Sequence, residues 1–146
     1  MTTVNEIMTR HFVTVSPETP VNYVARVIAD IAIKIVPVCD KNRLCGVVSE
    51  RDIVTKVVAR DQSLKRTTAK MVMDNSILEI PSRTDIVEAA KLMATNRVDC
   101  LAVVDNKKLV GLLTMNNLLK VSIALASMVL DRLEITSPTG SIIRGN

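Results

Sequence analysis

The segment Leu44-Cys45-Gly46-Val47-Val48-Ser49-Glu50-Arg51-Asp52 returns 65 residues downstream as Leu109-Val110-Gly111-Leu112-Leu113-Thr114-Met115-Asn116-Asn117, and this duplication constrains the fold more than any other feature. At the same offset, without a gap, Met8 falls on Met73, Thr19 on Thr84, Ala25 on Ala90, Val38 on Val103 and Asp40 on Asp105. Most other pairs exchange one apolar residue for another, so what repeats is a hydrophobic pattern. A unit of about 60 residues buries little core alone. Two copies are therefore expected to pack their apolar sheet faces together as one domain.

Within each copy the pattern predicts the same elements. A short helical turn over residues 4–9 docks Ile7 and Met8, and Phe12 to Val15 run extended. A helix follows, with Thr19 as N-cap and Pro20 in the first turn, where its missing amide proton does no harm. Val21, Val24, Ile28 and Ile31 form its apolar stripe. Strands Lys34 to Val38 and Leu44 to Val48 are joined by a turn at Asp40-Lys41-Asn42-Arg43. The helix after Ser49 runs to about Arg60 and buries Ile53, Val57 and Val58. Residues 61–67 lose periodicity and read as a linker. The second copy repeats the order: extended Ile77 to Ile80, a helix from Asp85 capped by Thr84, strands Asp99 to Val104 and Lys108 to Leu113, and a last helix running on to Leu133. Residues 135–146 read as a tail.

Three features per copy carry a family resemblance: an opening Ile7-Met8-Thr9 or Val72-Met73-Asp74, a strand such as Ile35-Val36-Pro37-Val38 ending near an Asp, and a Gly-apolar-apolar-Ser/Thr-x-x-Asp/Asn run. Together, in order and twice, they resemble a tandem pair of cystathionine β-synthase (CBS) domains, the Bateman module. The resemblance implies an α/β (α+β) fold of two βαββα-like repeats, 4–60 and 68–134, related by pseudo-twofold symmetry.

Composition sets limits on function. The chain has 146 residues, enough for one well-packed domain. One Tyr and one Phe argue against single-stranded nucleic-acid binding, which uses stacking platforms. The net charge of +4 is spread over scattered basic residues and suits small anions at least as well as nucleic acid. Cys39, Cys45 and Cys100 fall on predicted strands and read as reduced thiols of a cytoplasmic protein, with a cross-hairpin Cys39–Cys45 disulfide as the alternative. The N-terminus lacks the basic start and apolar run of a secretory signal. The most apolar segment, Leu118 to Leu130, is too short to span a bilayer. His11 is the sole histidine, and no nucleophile with a base, metal-ligand cluster or Gly-rich phosphate loop is found. No catalysis and no metal are expected.

Ser49 with Asp52, and Thr114 with Asn117, have the spacing of a capping box. A helix start also favours an anion, so capping and phosphate binding compete for the same donors. The resemblance implies that the clefts between the copies bind an adenosine-containing ligand, AMP, ADP, ATP or S-adenosylmethionine. The motif Asp would hold the ribose hydroxyls, with charge-assisted hydrogen bonds. Carried over by position, the first cleft combines Ser49, Arg51 and Asp52 with Leu78, Glu79, Ile80, Cys100 and Leu101. The second combines Thr114 and Asn117 with Val13, Thr14, Val15, Lys34, Ile35, Val36 and Pro37. Glu79, if it faces the first cleft, favours a cationic adenosyl ligand; if it points to solvent, AMP, ADP or ATP fit better. The expected protein is a ligand sensor that forms a homodimer through its helices and is read by an effector protein. The alternatives are an assembly module with empty clefts and a weak nucleic-acid-binding regulator.

Overall fold

The structure is a computed structural model and describes residues 1–121 and 123–133. The first copy comprises α1 (Val4–Ile7), α2 (Val21–Ile31), β1 (Ile35–Asp40), β2 (Arg43–Ser49) and α3 (Glu50–Ile53), which passes directly into a π-helical segment, Val54–Val58. The second comprises α4 (Ala69–Val72), β3 (Glu79–Ile80), α5 (Ile86–Asn96), β4 (Cys100–Asp105), β5 (Lys108–Thr114), α6 (Met115–Val121) and α7 (Ile123–Leu133). The fold is mixed α+β with two small sheets, β1-β2 and β3-β4-β5. Among the described residues no helix is long and apolar enough to cross a membrane. The expected tail, 135–146, lies outside the described residues, as do the side chains at 122–126 and 133.

The chain forms two compact units, and they do not coincide with the two copies. One unit holds His11–Ile77 with Lys107–Leu109; the other holds Met1–Arg10 with Leu78–Asn106 and the chain from Val110. Each copy's opening turn thus belongs to the unit built on the other copy. The hydrogen bonds that attach these turns repeat one for one. Val4 N–H donates to Thr84 and Asn5 N–H to Ser82 at 2.8 Å each. Their counterparts are Ala69 to Thr19 at 2.8 Å and Lys70 to Pro17 at 2.9 Å. Thr9 then bridges to Leu112 in one unit and Asp74 to Val47 in the other.

Gly46 and Gly111 make this docking possible. Neither has a positive φ, so the requirement is one of space. A Cβ on Gly46 would lie 2.8 Å from the Asp74 carbonyl oxygen, and one on Gly111 would lie 2.5 Å from Met8 Sδ and 3.1 Å from the Thr9 carbonyl oxygen.

Each unit has its own apolar core. In the His11–Ile77 unit, Val21, Val24 and Val27 of α2 pack on Val36, Val38 and Val48, closed by Ile53, Val57 and the exchanged Ala69 and Val72. In the other unit, Val4 and Met8 of the exchanged turn join Ile86, Ala90 and Met93 of α5 with Leu101, Val103, Leu113, Leu118 and Val129. The hairpin β1-β2 turns at Lys41 and Asn42, both with positive φ (50° and 69°), and the β4-β5 connection does the same at Asn106 and Lys107. Two consecutive positive-φ residues make the turn whose twist matches that of the flanking strands.

Several local expectations shift. Pro20, not Thr19, takes the N-cap of α2, and the Thr19 hydroxyl turns back to accept from the Ser16 amide at 3.1 Å. Asp85, not Thr84, caps α5, its carboxylate accepting from Val87 and Glu88, while the Thr84 hydroxyl donates to the Pro81 carbonyl. A carboxylate beside a helix start outcompetes the neighbouring hydroxyl because it adds charge to the hydrogen bond. On α2, Val27 is buried where Ile31 was expected, and Ile31 stands exposed at the helix end. Val58 is exposed as well, since Val57 fills the inward position of the π-helical segment.

Candidate functional site

The duplicated strand-to-helix joint is built the same way twice. At the end of β2 the chain enters α3 without a loop, and the Glu50 amide donates to the Lys34 carbonyl at 3.0 Å, fixing the joint to the start of β1. At the end of β5 the Met115 amide donates to the Asp99 carbonyl at 3.1 Å. The first joint closes as a full capping box, and the second shows the half in which the side chain three residues on accepts. Ser49 Oγ accepts from the Asp52 amide at 3.1 Å, while Asp52 Oδ2 accepts from the Ser49 amide and hydroxyl at 2.9 Å each. In the other, Asn117 Oδ1 accepts from the Thr114 amide at 2.7 Å and hydroxyl at 2.8 Å. The local reading of this spacing, a reciprocal satisfaction of free amide protons, is what the first joint displays.

The joints differ in charge and accessibility. Asp52 Oδ1 pairs with Lys56 Nζ at 3.0 Å, and the same ammonium donates to the Val72 carbonyl of the exchanged turn at 2.8 Å. Ser49 and Asp52 are half-buried and Arg51 is exposed, so this joint opens to solvent. Asn117 is 8% exposed, and its Nδ2 donates to the exchanged Thr9 hydroxyl at 3.2 Å. Its amide is therefore engaged at both ends inside its own unit. Lys56 is absent from the expected site residues. The signal for it was a carboxylate and an ammonium four residues apart on one helical face.

The other expected site residues distribute by unit. Beside Ser49, Arg51 and Asp52 lie Ile35, opposite Ser49, and then Val36 and Pro37, opposite Val48 and Val47. Val15 joins the far edge of β1 through a parallel bridge to Val38, with Val13 and Thr14 exposed before it; Lys34 is exposed at the joint itself. In the other unit, Glu79 and Ile80 pair in parallel with Ala102 and Val103, and the Leu78 carbonyl accepts from the Ala102 amide at 2.9 Å. Glu79 is exposed, Leu78 half-buried, and Ile80, Cys100 and Leu101 are buried beside the sheet that ends in Thr114. The residues expected for each cleft thus divide between the two units.

Burial decides the thiol chemistry. Cys100 is buried, and desolvation, with the Asp99 carboxylate adding to it, pushes its thiol up to about 12. Desolvation also raises Cys39, with Cys45 nearby. All three cysteines are free; Cys45 is the extra residue of a bulge between the pairs Val38–Gly46 and Cys39–Leu44.

Comparison with known proteins follows the two copies. The family model for the CBS domain matches residues 4–59 and again 69–124. The uncharacterized protein MK0525 of Methanopyrus kandleri is 29% identical over 133 residues, 90% of this chain and 68% of its own length. An inosine-5'-monophosphate dehydrogenase of Thermoplasma acidophilum is 31% identical over 114 residues, 77% of this chain and 22% of the enzyme. A CBS-domain protein of Burkholderia ambifaria has a solved structure that superposes with a TM-score of 0.76 at 30% identity, over 84% of this chain and 95% of that one. Both joints, both hairpins and both exchanged turns fall inside the matched spans, and the chain belongs to the CBS-domain family as a tandem pair.

Proposed function

We propose that this protein is a non-catalytic, cytoplasmic regulatory module that senses an adenosine-containing ligand, an adenine nucleotide or an adenosyl compound, at the joint formed by Ser49 and Asp52. The observation that carries the reading is the state of the Asp52 carboxylate. A carboxylate offers roughly four acceptor positions, and Asp52 uses three, two for Ser49 and one for Lys56. One remains on a side chain that keeps 15% of its surface exposed, enough for a ribose hydroxyl to reach. The Thr114 and Asn117 joint is the weaker of the two, because Asn117 is buried and already bonded on both sides of its amide.

Ligand binding can bias the module only through different affinities for its alternative arrangements, which an effector protein then reads. Exposed apolar residues at repeat-equivalent positions, Val54 and Leu119, with Val58 and Val121 beside them, support association of two copies through these helices. A thermal-shift screen of AMP, ADP, ATP and S-adenosylmethionine tests the reading. A ligand at 100 times its dissociation constant stabilises by about 2.7 kcal/mol. An unmoved melting temperature with all four favours the second reading, an assembly module without a ligand, for which the internally satisfied Asn117 box speaks.

A further inference from the structure

We propose that Lys56 sets the charge preference of the Ser49–Asp52 site and selects a phosphate-bearing adenosine ligand over a cationic adenosyl one. This inference rests on the nucleotide-sensing reading and goes beyond it by naming the ligand's charge and the residue that chooses it.

Without Lys56, Asp52 presents an uncompensated carboxylate to whatever binds beside it. A sulfonium would be drawn to that charge and a phosphate repelled. With the ammonium 3.0 Å from Oδ1, the pair is neutral and the repulsion is cancelled at its source. An ammonium also carries three N–H donors. Two are accounted for, toward Asp52 Oδ1 and the Val72 carbonyl. The side chain keeps 43% of its surface exposed, so the third donor is reachable from solvent.

The anchoring of the ammonium strengthens the argument. A free surface lysine spreads its charge over many rotamers. Lys56 is held between a carboxylate on its own helical face and a main-chain carbonyl of the exchanged turn, 16 residues away, so its charge is fixed next to Asp52. The second joint has no counterpart: the repeat-equivalent residue is Val121, and the Asp52 equivalent is the neutral Asn117. Charge selection is therefore a property of the first site alone.

The experiment is isothermal titration of AMP and of S-adenosylmethionine into wild type, Lys56→Met and Lys56→Arg. The expected result is that Lys56→Met weakens AMP about tenfold or more, the scale of one charge-assisted hydrogen bond, leaves S-adenosylmethionine within about threefold, and that Lys56→Arg restores the AMP preference. Equal weakening of both ligands in Lys56→Met makes Lys56 a mere support for Asp52 and overturns the proposal, as does no change in either. Loss of both without loss of the folded circular-dichroism spectrum counts as equal weakening. If wild type binds neither ligand, the sensing reading itself falls, and this inference with it.

Discussion

The exchange of opening turns makes a sharp prediction at Gly46. Substituting alanine places a Cβ 2.8 Å from the Asp74 carbonyl oxygen, and ordinary contact begins at 3.4 Å, so something must yield by about 0.6 Å. The obstacle is backbone, and that carbonyl accepts from the Val47 amide at 2.9 Å, while Val47 in turn accepts from the Asp74 amide at 2.8 Å. Separating the strands stretches both bonds. Overpacking of a tight core costs about 1–3 kcal/mol, and restricting the unfolded chain by Gly→Ala returns about 0.4–1 kcal/mol. Because the obstacle is backbone, the cost belongs at the upper end of that range, and the expected net is a loss of about 2 kcal/mol for Gly46→Ala. Gly111→Ala meets chiefly Met8 Sδ and Cγ, the flexible end of a side chain, with the Thr9 carbonyl oxygen at 3.1 Å. Met8 can move, so its loss is expected to be smaller, about 1 kcal/mol. Urea unfolding followed by circular dichroism measures both, with the midpoint shifting and the slope unchanged. A Gly46→Ala protein as stable as wild type, or less affected than Gly111→Ala, refutes the close approach and the exchange that demands it.

Asn117→Ala removes the acceptor of the Thr114 amide and hydroxyl and the donor to Thr9 in a buried place, and should cost about 1–3 kcal/mol in urea unfolding whether or not any ligand is present. Asp85→Ala should lose about 1 kcal/mol as an N-cap, and Thr84→Ala clearly less; the reverse order would restore Thr84 as the cap. Acid should weaken the fold through Asp74, whose carboxyl is held below its ordinary 3.8 by the Ser76 hydroxyl and amide. A depressed folded value means that the stabilisation is full above the unfolded pKa and is lost as pH falls through the folded one. Ser76→Ala should therefore be destabilised at neutral pH, with the deficit closing as pH drops below about 4; a deficit independent of pH contradicts this.

The duplication made much of the fold legible. A gapless offset fixes both hairpins at once, because a register error in one copy would have to recur in the other. The capping box of the first joint was legible too, since Ser49-x-x-Asp52 states its own hydrogen bonds. Cap positions slipped by one residue where two candidates stand side by side, as with Thr84 and Asp85, and spacing alone does not rank a hydroxyl against a carboxylate. The exchange of turns was hidden for a deeper reason: a repeat says which residues are equivalent, and it is silent on which copy an opening turn docks against. The two glycines at the middle of β2 and β5 held the clue, a demand for close backbone approach. Lys56 lies four residues beyond the Ser-x-x-Asp motif, and its second anchor, the Val72 carbonyl, is visible only in the folded chain.

The most direct test of the account is calorimetric titration of AMP into wild type and Asp52→Asn. Asparagine keeps an oxygen for the Ser49 amide and hydroxyl, so the box can persist, while the charge offered to the ribose is gone together with the ion pair to Lys56. A saturable heat in wild type that Asp52→Asn loses by at least about tenfold is the predicted result. Equal binding by both proteins, or no binding by wild type, contradicts the placement of a ligand at this joint.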